Sequence, residues 1–245
     1  MQSYAAPQKC TLNDVLACSA PLIISDVDGE NPFFSGTCFR VSFEDRVYVV
    51  TARHCIKNSS INFETQRVEC ATPEQGYLPL KSWHLLGTKL DDTDHSDIAI
   101  FEVDLDRMSA QEKRIIPTLD IAAYPLPKDY RPAYKLIVEG FPFRLSEWNG
   151  EQKSWKRGSE KLEARYEGPS ENELGTSKLT FKEPETAEDI EGLSGAPVFA
   201  FKNLGPKTFL VGFAGMMIRT NYFINADIIV TALKWLKTRT APSTA

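Results

Sequence analysis

Cysteine is sparse in this chain. Five occur in 245 residues, Cys10, Cys18, Cys38, Cys55 and Cys70, and an odd, thinly spread set does not make a disulfide scaffold. No C-x2-C pair is present, so no zinc-binding spacing follows, and most of the five read as small apolar core residues. Long apolar runs are missing too: nothing approaches the roughly 20 residues that span a bilayer as a helix. Met1 to Leu12 carries neither a basic n-region nor a continuous apolar h-region, and the expectation is a protein without a signal peptide that stays in the cytoplasm. Positive charge is not in excess. A formal net charge of −5 argues against nucleic acid as a partner, because phosphate binding needs a dense Lys/Arg surface. The one basic cluster, Lys153 to Arg157, is interleaved with Trp155 and reads as a solvated loop.

What is present is an ordinary globular composition and a succession of short β-branched and aromatic runs. Leu22-Ile23-Ile24 ends at the turn signal Asp28-Gly29. Gly36 to Val41 and Val47 to Thr51 flank Glu44-Asp45 as a hairpin. Ser60 to Phe63, Ser82 to Leu86 and Ile98 to Val103 follow as strands. Pro117, Pro125, Pro127 and Pro132 make the next stretch a poor element interior and a good crossover. Strands resume at Tyr134 to Glu139, Lys161 to Tyr166, Lys178 to Phe181, Ala196 to Phe201 and Phe209 to Ala214. Much of Arg144 to Gly175 reads as variable loops. Ile228, Ile229, Ala232, Trp235 and Leu236 recur at helical spacing. Many short strands with turns between them predict an all-β sandwich or barrel. The division expected is an N-terminal extension over 1–20, a first unit over 21–120, a crossover over 121–132, a second unit over 133–226, a helix over 227–238 and a tail over 239–245.

Three local patterns carry chemistry. Val49 to Cys55 is a strand running into His54. Asp97-Ile98-Ala99-Ile100 is an aspartate opening an apolar strand. Gly192-Leu193-Ser194-Gly195-Ala196-Pro197 is a serine in a glycine-flanked turn leading into a strand. A serine hydroxyl needs a neighbouring imidazole to take its proton. The imidazole in turn needs a carboxylate on its other nitrogen to fix tautomer and orientation. The oxygen under attack needs preorganised N–H donors, for which Gly192 and Ser194 are placed by the turn.

These blocks resemble the trypsin/chymotrypsin family of serine proteases. Thr51-Ala52-Arg53-His54-Cys55 is similar to its T-A-A-H-C, Asp97 to Ile100 to its D-I-A-L, and Gly192 to Pro197 to its G-D-S-G-G-P, in the family's order His, Asp, Ser and with comparable gaps. The closing Leu210-Val211-Gly212 and Val230 to Trp235 look like the family's end, so the resemblance runs from about Pro21 to Thr238. It implies two six-stranded antiparallel β-barrels and a C-terminal α-helix, an active site between the barrels, and a triad of His54, Asp97 and Ser194. It also implies that Cys38 and Cys55 occupy the positions of a cysteine pair bracketing the histidine. Leu193 departs from the pattern: secreted members carry there an aspartate that receives a new N-terminal amine after zymogen cleavage. In this respect the chain looks more like intracellular and bacterial relatives with G-x-S-G-x-P. Its site either folds competent or is switched from outside. The resemblance places the floor of the specificity pocket at Glu188, with Asp189 beside it, and the wall near Gly215, Met216 and Met217. An acidic floor would favour Arg or Lys at the cleaved position; the alternative is that these are solvated loop carboxylates.

His84 and His95 read as structural. Asp91, Asp92 and Asp94 show no ligand spacing, and no metal or cofactor is assigned. Cys55, next to His54 along an extended chain, would point away from the imidazole. Two functions remain from this reading: an endopeptidase acting on a protein or peptide substrate, of narrow range or with an activating partner, and a catalytically silent protease-like binding module. An esterase using the same acyl chemistry is a weaker third.

Overall fold

The computed structural model describes residues 15–26, 33–56, 66–70, 78–86, 96–121, 134–149, 151, 154–171, 174–183, 190–204 and 207–240. Seven strands form the first sheet: β1 (Ser19–Asp26), β2 (Phe33–Phe43), β3 (Arg46–Ala52), β4 (Gln66–Cys70), β5 (Leu80–Leu85), β6 (Ile98–Val103) and β7 (Leu119–Asp120). Their order is β4-β1-β2-β3-β6-β5, with β7 paired to β2. The β2–β3 hairpin turns at Glu44-Asp45, as the sequence predicts, and Glu44 takes a positive φ of 56°. All six residues of β6 are buried: five are apolar, and the sixth, Glu102, pairs with Arg46 and Lys81. Among the described residues this first unit is a sheet, with no ladder joining β4 to β5.

Between β6 and β7 lies α1 (Ala110–Ile115), a short helix the sequence reading missed. Its signature is local: Ser109 and Glu112 form a capping box, each accepting the other's backbone N–H. The second unit contains β8 (Lys135–Gly140), β9 (Ser146–Asn149), β10 (Ser154–Arg157), β11 (Glu160–Pro169), β12 (Thr176–Phe181), β13 (Pro197–Leu204), β14 (Lys207–Arg219) and β15 (Tyr222–Asn225), followed by α2 (Ala226–Thr240). Six of these close a barrel in the order β11-β12-β15-β14-β13-β8. β9 and β10 pair as a separate hairpin, so part of the stretch read as loops is ordered strand. The predicted strand at Ser60 to Phe63 and most of the Pro-rich crossover lie outside the described residues.

Alternation along β13 explains how the two cores meet. Val198 and Ala200 point into the barrel beside Leu136, Val138 and Leu162. Phe199 and Phe201 point outward and join a continuous core with the first sheet and α2. Helix α2 contributes Ile229, Leu233 and Leu236, at most 2% exposed. Trp235, expected on the same face, is instead 42% exposed, with the Arg239 guanidinium over its ring at 4.1 Å. The overall architecture is therefore mostly β, with one closed six-stranded barrel, a second sheet and a C-terminal helix.

Candidate active site

The β3–β6 register builds one wall of the site. These strands are antiparallel with Ala52 opposite Ile98, so the residues after β3 meet those before β6. β3 then winds into a 3-10 turn, Arg53–Ile56. Arg53 N–H donates to the Asp97 carbonyl at 3.2 Å, and the Arg53 guanidinium donates to the Leu86 carbonyl at 2.9 Å. The Asp97 carboxylate reads His54 twice: Oδ1 accepts the His54 backbone N–H at 2.9 Å, and Oδ2 lies 2.6 Å from Nδ1. Two contacts on one residue fix the ring's position and leave Nε2 as its other nitrogen. Partial burial lowers the imidazole pKa. The Asp97 carboxylate against Nδ1 and the Cys55 sulfur raise it more, and it is pushed up to about 10. Cys55 acts on the ring because the 3-10 turn breaks the strand alternation that would have aimed it away.

The opposite wall is the 190–197 turn, where nearly every carbonyl has a partner. The Glu191 carbonyl accepts from Phe143 N–H at 2.8 Å and the Leu193 carbonyl from Ala196 N–H at 2.8 Å. Leu193 N–H donates to the Ile190 carbonyl, and Gly195 N–H to the Met217 carbonyl at 2.8 Å. The Gly192 carbonyl accepts from the Thr37 hydroxyl at 2.8 Å. The Ser194 carbonyl accepts from Thr37 N–H at 2.9 Å and from the Cys55 thiol at 3.5 Å. Among the described residues, the N–H groups of Gly192 and Ser194 have no acceptor. Each belongs to a peptide whose carbonyl is anchored on the far side, and a trans peptide points its N–H the other way. Gly195 is required here: its φ is +86°, and a Cβ would lie 1.9 Å from the Thr37 carbonyl oxygen.

Both walls face an open cleft of about 500 Å³ lined by His54, Glu191, Gly192, Ser194, Ile218 and Arg219 among others. The Ser194 hydroxyl has one proton to donate and gives it to the Ile218 carbonyl at 3.3 Å, not to His54. The structure thus brings His54 and Asp97 into contact and sets Ser194 in the same cleft with its hydroxyl turned aside. Leu193 is 2% exposed and packs inside the closed barrel.

Several expectations are corrected. Of the expected wall residues Met217 lines the cleft, together with Ile218, Arg219 and Thr220, and Gly215 and Met216 are not among its lining. β14 runs on to Arg219 before turning into β15, with Met216 opposite Ile224, so those two residues sit deeper along the strand, and Met216 is fully buried. No disulfide joins Cys38 and Cys55. Cys38 donates to the Ala20 carbonyl at 3.4 Å, and the residue facing the Cys55 sulfur is Gly36, on which a Cβ would lie 2.8 Å from Sγ. Glu188, Asp189, Asp91, Asp92, Asp94 and His95 lie outside the described residues. His84 stands on β5, its pKa lowered by burial. Sequence reasoning missed Thr37, Phe143 and Ile218, whose roles come from backbone groups and long-range contacts rather than from a motif.

No protein-family model matches the chain, and no curated protein matches it. Solved structures do. Human heparin binding protein superposes with a TM-score of 0.52 at 11% identity over 98% of this chain and 97% of that one. Neuropsin, a serine protease expressed in the limbic system of mouse brain, gives 0.52 at 12% identity over 94% and 97%. A mutant of human heparin binding protein gives 0.54 at 11% identity over 98% and 97%. At such identities the likeness speaks for the fold alone, and that fold is the one of the trypsin-like serine proteases.

Proposed function

We propose that the chain is a serine endopeptidase that works through an acyl-enzyme. The observation that carries this reading is the convergence, in one cleft, of the Asp97-bound His54, the Ser194 hydroxyl and the two N–H groups without acceptors. Substrate entry swings the Ser194 hydroxyl from the Ile218 carbonyl to Nε2 of neutral His54. His54 takes the proton as Oγ attacks the scissile carbonyl, and the Gly192 and Ser194 N–H groups receive the developing oxyanion. His54 then passes the proton to the departing amine, and water cleaves the acyl-enzyme by the same path reversed. The released Ile218 carbonyl is free to accept from the substrate backbone. The reading includes a narrow substrate range or an external trigger, since an unrestrained cytoplasmic peptidase would endanger its host.

The test is covalent labelling of the purified protein and of Ser194→Ala with a fluorophosphonate, located by mass spectrometry. Modification of Ser194 in the wild type alone is the expected result. An unlabelled wild type that still folds would instead favour a protease-like binding module. One observation favours that second reading, the resting hydrogen bond of Ser194 to Ile218 instead of His54.

A further inference from the structure

We propose that Thr37 is a positioning residue, tethering the nucleophile turn to the first sheet so that the Gly192 and Ser194 N–H groups stay aimed into the cleft; this rests on the peptidase reading. Thr37 is fully buried and uses every hydrogen-bonding group it has. Its hydroxyl donates to the Gly192 carbonyl at 2.8 Å and accepts from Phe141 N–H at 2.9 Å. Its N–H donates to the Ser194 carbonyl at 2.9 Å, and its carbonyl accepts from the Thr51 hydroxyl at 2.7 Å. One residue of β2 thereby holds two carbonyls of the turn that carries the nucleophile.

The chemistry calls for a hydroxyl. The Gly192 carbonyl needs a donor and Phe141 N–H needs an acceptor at the same point, and a hydroxyl can be both. Water cannot take over at a fully buried position, so losing the hydroxyl leaves two backbone groups unpaired. The cheapest relief is rotation of the 192–193 peptide. Gly192 offers little resistance, because at φ +97° it has no Cβ to restrict it. The flanking 191–192 and 193–194 peptides, which carry the Gly192 and Ser194 N–H groups, then lose the anchor between them and drift out of line. The anchor itself is rigid: around Thr37, β2 pairs with β1 at Pro21 and with β3 at Cys38–Thr51. Where the resembled secreted proteases hold this turn from beneath by an ion pair, here Leu193 is in the barrel core and Thr37 ties the turn from above.

The experiment compares wild type, Thr37→Val and Thr37→Ser as full-length proteins, with labelling rates by a fluorophosphonate normalised to folded protein and amide hydrogen exchange over 190–197. Valine keeps the shape and removes the hydroxyl; serine keeps the hydroxyl. The expected result is a labelling rate constant on the order of 10²-fold lower in Thr37→Val, with little change in initial probe binding, faster exchange confined to 190–197, and most of the rate regained in Thr37→Ser. A merely structural role would lower thermal stability but leave the rate per folded molecule unchanged, and that outcome overturns the proposal. Equal loss in the serine variant overturns it too. If the wild type itself is not labelled, the peptidase reading fails separately and exchange alone decides: unaltered protection over 190–197 in Thr37→Val refutes the tether.

Discussion

Asp97 holds His54 by two of its oxygens and two of His54's nitrogens, the backbone N–H at 2.9 Å and the ring Nδ1 at 2.6 Å. The side chain of His54 is nonetheless 45% exposed. The carboxylate decides where the ring points, and against the lowering effect of burial it and the Cys55 sulfur make the ring keep its proton more tightly.

The pH dependence follows from that. With its pKa pushed up from 6.5 to about 10, His54 is an imidazolium at neutral pH, whereas a general base must be neutral. The rate of Ser194 acylation is expected to climb through the alkaline range and level off near pH 10. Because the folded-state value is the higher one, the charged pair stabilises the fold fully below about pH 6.5. That contribution disappears as the pH rises through 10. Asp97→Asn removes the carboxylate, so the imidazole should titrate near its ordinary value while acylation falls on the order of 10⁴-fold. Acylation rates from pH 5 to 11 and an NMR titration of His54 check both; a profile centred near 6.5 in the wild type would contradict the assignment.

Leu193→Asp tests how the nucleophile turn is anchored. Secreted members of the resembled family carry an aspartate at this position, but here the side chain is 2% exposed among Leu136, Val138 and Ile190. A carboxylate would lose the leucine's burial and gain no cation in return. Unfolding free energy from urea titration is expected to drop by upwards of about 4 kcal/mol. A drop below about 1 kcal/mol would mean that a cation reaches this site after all.

Gly36→Cys tests the reassigned cysteine geometry. A Cβ at Gly36 would lie 3.5 Å from the Cys55 Cβ and 2.8 Å from its sulfur, within the range that a disulfide bridges. Oxidation of this variant is expected to join residues 36 and 55, read as a cross-linked peptide pair by mass spectrometry. Wild type under the same conditions should show no bond between Cys38 and Cys55. A Cys38–Cys55 cross-link in the wild type would refute the placement.

Much of the site was legible because its signals are local. A strand ending in Thr51-Ala52-Arg53-His54, an aspartate at the mouth of an apolar strand and a serine between glycines each express nearest-neighbour chemistry; the structure sets Asp97 against His54 and lines one cleft with His54 and Ser194. The capping box that starts α1 was equally local and was overlooked. Of the expected wall residues Met217 lines the cleft and Gly215 and Met216 do not, because nothing in Gly215 to Thr220 tells where β14 ends; the register with β15 does.

The sequence by itself determined the alternating strands, the closing helix and the order of the three polar residues, since side-chain period and turn chemistry depend on residues a few positions apart. Only the tertiary structure decided which groups complete the site. The Thr37 hydroxyl meets Phe141 across 104 residues and Gly192 across 155. Cys55 meets Gly36 rather than Cys38, and Leu193 is in the barrel core where the family's pattern has a charge. Such meetings depend on strand register and on the β-bulges that shift it. A displacement of one residue there turns a side chain to the opposite face while leaving every local motif unchanged.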